Sequence, residues 1–324
     1  MPPRDGESGP GGTALDWARL LRLPNHATAV ADVLAGWLVV EATRVVAVPP
    51  GLALTVAAGW AFYAAGMVLN DVCDVDLDAV ERPERPLPSG RIRLGTAALV
   101  GQGLLALGAA CACAAAVVTG HAAVVLTGAL VTAAIWIYDR HAKATAAGPA
   151  VMGACRALNW LLGMTAAGGP LLAPHWLLPA GIGIYVAGIT LYARDEAATS
   201  RRAMLARGAM TMAAGILLVG TGTVLAARDT GGLPWGGVPG AGAGRLAPWT
   251  LLLAIVGSSV LFRASVGVAD PSPPRVRAAV GNAIMSLITI DAVLVLAACG
   301  EPWAVVVLAL LAPFVLLRRV IPPT

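Results

Sequence analysis

The sequence predicts an all-α fold: a polytopic transmembrane helical bundle of nine to ten spans around a central cavity. Three observations carry that expectation. Hydrophobic residues make up 58% of the 324 positions and charged residues only 12%, and the mean hydropathy of +0.77 lies outside the range of a water-soluble domain. Apolar runs of spanning length recur from end to end. Lys and Arg gather in alternate loops, as topology signals do.

Taken in order, residues 1–16 are rich in Gly and Pro and are expected to form a disordered cytoplasmic tail. No short apolar core follows their charges, so they do not read as a cleaved signal. The remainder, 17–324, reads as one transmembrane domain. Its apolar runs fall at roughly 26–48, 50–70, 95–118, 120–138, 147–167, 172–192, 203–226, 246–268, 280–299 and 302–318. With ten spans, Arg19 and Arg22, then Arg82, Arg85, Arg91 and Arg93, then Arg140 and Lys143, then Arg194, Arg201 and Arg202, then Arg275 and Arg277, and finally Arg318 and Arg319 share one side. The opposite loops hold little more than Arg44, Arg228 and Arg245, with Trp176, Trp235, Trp249 and Trp303 near span ends as an interfacial belt. Both termini are therefore expected in the cytoplasm, and a nine-span count would leave Arg318 and Arg319 outside. The Gly-rich stretch from Gly231 to Gly244 is expected to be an external loop.

The net charge of +4 is dispersed through these loops, which argues against nucleic acid as a partner. Five cysteines are scattered over apolar runs, and Cys111-x-Cys113 has no second pair to complete a zinc site, so a structural role is expected for them.

The chemistry concentrates at the end of the second run, in Asn70-Asp71-Val72-Cys73-Asp74-Val75-Asp76-Leu77-Asp78. On a helix Asp71, Asp74 and Asp78 stand at i, i+3 and i+7, which puts their carboxylates on one face with Asn70 beside Asp74. Such a face repels itself unless a cation sits on it. Hard oxygen ligands with room for water and phosphate oxygens suit Mg²⁺, and the arginines just downstream can grip the same phosphates. The competing reading is a solvated charged loop that merely ends a span.

The pattern N-D-x-x-D-x-x-x-D followed by Arg82-Pro83-Glu84-Arg85-Pro86-Leu87-Pro88-Ser89-Gly90 resembles the first aspartate-rich motif of the UbiA superfamily of intramembrane prenyltransferases, and within it the EboC-like branch. Leu20-Leu21-Arg22-Leu23-Pro24-Asn25, and Tyr138-Asp139 with Lys143, are similar to the family too. The resemblance implies a UbiA-like prenyltransferase domain over 17–324 that binds an isoprenoid diphosphate through Mg²⁺, in a cavity open to membrane lipid.

A weaker echo stands at the end of the sixth run, in Arg194-Asp195-Glu196-Ala197-Ala198-Thr199-Ser200. The family's second motif is D-x-x-x-D; here Thr199 stands where the second aspartate belongs. On this resemblance Asp71, Asp74, Asp78 and Asp195 hold the metal, with Asn70 as a ligand or orienting group and Asp195 or Glu196 on the opposite wall. Arg82, Arg85, Lys143 and Arg194 neutralise the departing pyrophosphate, and Tyr138 reaches the phosphates as well. Asp195 and Glu196 have an equal claim as loop charges paired with Arg194 or Arg201.

Ionisable groups inside spans are costly and usually face the bundle interior; Asp32, Arg156, Asn159, Asn282 and Asp291 qualify. Arg156 and Asn159, one turn apart, either shape an acceptor pocket or tie two helices together. Asp291 is expected to pair with Arg263 or another buried donor. His26, His121, His141 and His175 are assigned no catalytic role. Three function classes remain: Mg²⁺-dependent prenyl transfer to a lipophilic, aromatic acceptor; a terpene cyclase on the same scaffold; and a non-catalytic isoprenoid-lipid binder, against which the retained acids argue.

Overall fold

The computed structural model describes residues 12–41, 48–168, 173–194, 200–229 and 248–321. Among them every regular element is helical: α1 (Ala14–Leu20), α2 (His26–Glu41), α3 (Pro50–Cys73), α4 (Val75–Glu81), α5 (Leu94–Thr119), α6 (Ala123–Ile137), α7 (Gly148–Ala167), α8 (Leu177–Tyr192), α9 (Arg202–Asp229), α10 (Pro248–Ala269), α11 (Pro273–Cys299), α12 (Glu301–Ala309) and α13 (Leu311–Val320). Nine segments of the described residues are long and apolar enough to cross a membrane, the last being α12 and α13 together. The fifth expected span is the 20-residue α7. Its Arg156 and Asn159 lower its hydropathy, and it packs against α2, α3, α6 and α8 within the bundle.

Helix starts and stops follow local chemistry. Proline opens α3, α7 and α11, where a missing N–H costs nothing. Gly120 and Gly168 end α5 and α7 in the left-handed conformation, at φ 76° in each case. Ordered structure reaches into the segment expected as a tail: Thr13 caps α1 through a capping box with Asp16. Residues 1–11 and the Gly231–Gly244 segment lie outside the described residues.

Close helix contact in a membrane depends on small residues, because lipid supplies no hydrophobic drive for helix pairing. At the α2–α7 crossing, a Cβ on Gly163 would stand 2.2 Å from the Val33 carbonyl oxygen, and one on Gly36 would stand 2.2 Å from that of Trp160. The two backbones therefore touch, which places the side chains of Asp32 and Arg156 within reach of each other.

After α4 the chain folds back. Gly90, at φ 74°, turns it, Ser89 Oγ donates to the Arg85 carbonyl at 2.6 Å, and Leu87 and Ile92 bury themselves with Leu20 and Val68. The R-x-x-R-P-L-P-S-G stretch is thus a packed element that fixes Arg85, 3% exposed, under the end of α3. Arg91 Nε donates to Asp16 Oδ1 at 2.8 Å and straps α1 across the same loop.

Candidate functional site

At the end where α3 meets α4, the helices surround a cavity of about 500 Å³. Asn70, Asp74, Asp78, Arg82, Asp139 and Lys143 stand on its wall at the mouth, while Val131, Ile135, Met152, Ile189, Ile284 and Leu287 give it apolar sides.

The first motif lies on a nearly continuous helix. Asp74 joins α3 to α4 at φ −94°, ψ 2°, and the four-residue hydrogen bonds from Asp74 N to Asn70 O and from Asp78 N to Asp74 O persist across the joint. The expected face is divided between two sets of cations. Asp71 and Asp78 share Arg85, whose Nη1 is 3.7 Å from Asp71 Oδ1 and 2.7 Å from Asp78 Oδ2. Asp71 is also 3.1 Å from Arg22 Nη2. Asn70 and Asp74 share Lys143, which donates to Asn70 Oδ1 at 3.0 Å and is ion-paired to Asp74. Asn70 in turn donates to Asp139 Oδ1 at 3.1 Å. Among the described residues no three acidic, histidine or cysteine groups already converge as a metal site; the acids are neutralised by side chains instead.

Lys143 and Asp139 reach this position through a local irregularity. The chain from Tyr138 to Ala142 makes a π-helical turn, closed by Lys143 N donating to Tyr138 O at 3.1 Å, one residue longer than an α-turn. Such turns re-aim side chains and recur at functional sites. Burial pushes the Lys143 ammonium down to about 8, and the Arg22 charge acts in the same direction.

Arg22 is a site residue that sequence reasoning missed, having counted it as an orientation signal and as part of the family-like Leu20–Asn25 stretch without assigning it a role. Among the described residues it is the one non-glycine with positive φ, at 49°. That conformation costs about 1–2 kcal/mol, and the 3₁₀ turn at Leu23–Asn25 follows it directly. The signal was there in Arg22-Leu23-Pro24-Asn25: a basic residue two positions before a helix-breaking proline, just ahead of an apolar run.

A second polar group lines the cavity deeper in the bundle. Arg156 donates to Asp32 and Thr28, and its guanidinium lies 5.1 Å from the centre of the Tyr63 ring. Asn159 Nδ2 donates to the Ala29 carbonyl at 2.9 Å and to Asp32 at 3.3 Å. Asp291 does not pair with Arg263, which is exposed; the buried donor it finds is Trp160 Nε1, at 3.0 Å. The polar groups of α7 and α11 find one another because α2 is drawn against α7 by the glycine crossing.

Tyr138, Arg82 and Arg194 line the cavity as well, and Arg194 is tied to the Ala144 carbonyl at 3.2 Å. Asp195 and Glu196 lie outside the described residues, as does Thr199.

The sequence profile of the UbiA prenyltransferase family matches residues 29–288. The digeranylgeranylglyceryl phosphate synthase of Sulfurisphaera tokodaii is 35% identical over 78 residues, covering 24% of this chain and 27% of that protein. The enzyme of the same name from Ignicoccus hospitalis is 37% identical over 92 residues, covering 28% and 29%. The matched part is therefore under a third of these relatives' length. In three dimensions, a UbiA homolog from Aeropyrum pernix K1 superposes with a TM-score of 0.61 at 17% identity over 83% of this chain and 96% of that one. A UbiA homolog from Archaeoglobus fulgidus bound to DMAPP and Mg²⁺ superposes with a TM-score of 0.53 at 12% identity, over 91% and 99%. At such identities the likeness is one of fold.

Proposed function

The chain belongs to the UbiA prenyltransferase family, and from that premise we propose that it is an intramembrane enzyme moving a prenyl group from an isoprenoid diphosphate to a lipophilic acceptor. The observation that carries this reading is the two-part cavity: acids, an amide and cations at the mouth, apolar walls behind them. A diphosphate fits the first part and an isoprenoid chain the second. The Archaeoglobus homolog bound to DMAPP and Mg²⁺ supports the same assignment of ligands.

The donor set suits Mg²⁺. The carboxylates of Asp71, Asp74, Asp78 and Asp139 and the amide oxygen of Asn70 are all hard oxygen donors. When bound, Mg²⁺ offsets the charge that develops on the departing diphosphate. Arg22, Arg85 and Lys143, which neutralise the acids of this structure, are cations that phosphate oxygens can take over, and Arg82 and Arg194 stand beside them on the wall. As the bond between the allylic carbon and the diphosphate oxygen breaks, these fixed cations stabilise pyrophosphate in a low-dielectric site, where such help is largest. Tyr138 lines the same mouth. Asp195 and Glu196, the acids of the second motif, follow Arg194 directly in sequence and are the further carboxylates expected to serve the same ligands. The apolar sides keep water from the allylic cation until the acceptor takes it.

An aromatic acceptor is compatible with Phe62 and Tyr63 on the cavity wall. The names of the curated relatives point instead to glyceryl phosphate lipids. A cyclase, the alternative on this scaffold, has no use for the deep polar group formed by Arg156 and Asn159, which favours transfer to a second molecule. The Lys and Arg asymmetry of the loops supports a mouth that faces the cytoplasm. Incubating the purified protein with labelled isoprenoid diphosphates of several lengths, with and without acceptor, tests the reading. Transfer yields an adduct that depends on acceptor; acceptor-free hydrocarbon or alcohol would mean cyclisation, and unchanged substrate would sink both.

A further inference from the structure

The cavity has two polar ends, and only the mouth is needed for a diphosphate. Tyr63 and Asn70 both line it from α3, and seven residues of helix separate them by about 10 Å. Between them an isoprenoid needs only apolar wall. Polar side chains at membrane depth are expensive, and a tie between α2 and α7 could be made out of contact with the cavity. Instead Arg156, Asn159, Tyr63 and Asn25 all open onto it.

The charge of this deep set is balanced without a ligand. Arg156 is ion-paired to Asp32, which is 0% exposed. Asp291, also 0% exposed, makes no ion pair among the described residues: its Oδ1 accepts from Trp160 Nε1, and neither its Oδ2 nor Oδ1 of Asp32 has a hydrogen-bond partner. With Arg156 committed to Asp32, a carboxyl buried as deeply as Asp291 with no cation of its own keeps its proton, because an unpaired charge there costs too much. One guanidinium and a carboxyl pair holding a single proton sum to zero. A phosphate or carboxylate entering here would meet no uncompensated cation, and it would face the carboxylate behind Arg156. Arg156 keeps N–H donors beyond the two used on Asp32 and Thr28, and Asn159 adds an amide. Donors in a neutral, mostly apolar setting select an uncharged oxygen.

We infer that Arg156, Asn159, Tyr63 and Asn25 form the acceptor subsite and that the group it takes is an uncharged hydroxyl, on an aromatic ring or an alcohol, and not an anionic headgroup. The inference rests on the prenyl-transfer reading for the word acceptor, but the subsite is testable without turnover.

The experiment uses the full-length protein in nanodiscs and three probes of equal chain length: an alkylphenol, a monoalkylglycerol and the phosphate ester of that glycerol. Equilibrium binding is measured for each with the mouth saturated by Mg²⁺ and pyrophosphate, so that only the deep subsite is open, and Mg²⁺-dependent pyrophosphate release from an allylic diphosphate is followed separately. One or both neutral probes should bind at least about tenfold tighter than the phosphate ester, the difference a charge-assisted contact makes. The phenol and the glycerol arms distinguish the two sources of the hydroxyl. Replacing Asp32→Asn together with Asp291→Asn unmasks Arg156, and the phosphate ester should then gain about tenfold. Tighter binding of the ester to the unaltered protein, or no binding of either neutral probe, overturns the inference. Should the double variant fail to fold, the comparison of probes on the unaltered protein decides alone. Missing pyrophosphate release with intact neutral binding would sink the catalytic reading and leave the subsite standing.

Discussion

Arg22 Nη2 lies 3.1 Å from Asp71 Oδ1, so an arginine held in a left-handed backbone conformation occupies the carboxylate that heads the first acidic motif. Mg²⁺ alone must displace this cation to use Asp71. Mg²⁺ with a diphosphate offers the guanidinium another anion. Arg22→Gln is therefore expected to raise the affinity for Mg²⁺ alone and to lower that for Mg²⁺ with pyrophosphate. Calorimetric titration of both ligands checks this; a fall in both affinities would mean that Arg22 only braces α1.

Lys143 bridges Asn70 and Asp74. Lys143→Met should reduce turnover about 10²-fold, the cost of removing one charge-stabilising donor, and Asp71→Ala or Asp74→Ala should abolish it. All three proteins should remain monodisperse and helical by size exclusion and circular dichroism. Activity near that of the unaltered protein in both aspartate variants would remove the metal site from this motif.

The α2–α7 crossing tolerates no side chain at Gly163, where a Cβ would meet the Val33 carbonyl at 2.2 Å. Gly163→Ala is expected to cost about 1–3 kcal/mol by overpacking and to part Asp32 from Arg156. Gly103→Ala, on a helix face where nothing lies within 4 Å, should be neutral or stabilise by about 0.4–1 kcal/mol. Equal thermal shifts in the two variants would refute the account of the crossing.

Burial alone would raise the pKa of Asp16, but hydrogen bonds from the hydroxyl and amide of Thr13 and the charge of Arg91 together bring it below its ordinary 3.8. A depressed folded pKa gives stability that is present above the unfolded value and lost as the pH falls through the folded one. The difference in melting temperature between the unaltered protein and Asp16→Asn should therefore close as the pH is lowered beneath 3.8. A gap that widens on acidification would contradict the assignment.

Ser89 stands in the exposed loop beside the mouth. In a background lacking the five native cysteines, Ser89→Cys should react with an impermeant maleimide only after the membrane is permeabilised. Labelling of intact cells would reverse the orientation.

The spans were legible because an unbroken apolar run of spanning length has one stable form in lipid; of the ten runs, nine are helices long and apolar enough to cross among the described residues, and α7, with its buried polar groups, is the exception. The mouth was legible because Asn70, Asp74 and Asp78 lie close together in sequence, where helical phase fixes their relations. The partners of those residues were not. Arg22 and Lys143 are brought to Asp71 and Asp74 by a left-handed residue and a π-turn, both departures from regular periodicity. The pairing of Asp32, Arg156 and Asp291 depends on which helices touch, and that is set by glycines whose crossing carries no local mark. Asp291 was for that reason expected to find Arg263 or another buried donor; the packing leaves Arg263 exposed and supplies Trp160 instead.

The ion pair between Asp32 and Arg156 also sets a condition on biogenesis. Arg156 follows Asp32 by 124 residues, so at about 5–20 residues per second the ribosome needs roughly 6–25 s to deliver it. Through that interval α2 carries an unpaired carboxyl whose place at the centre of a lone helix costs about 2.5–3.5 kcal/mol on the insertion scale. The first span of this protein is therefore held less firmly in the bilayer until α7 has emerged, and in a nascent chain halted before Gly148 a cysteine placed in α2 should react faster with a water-soluble maleimide than in the full-length chain.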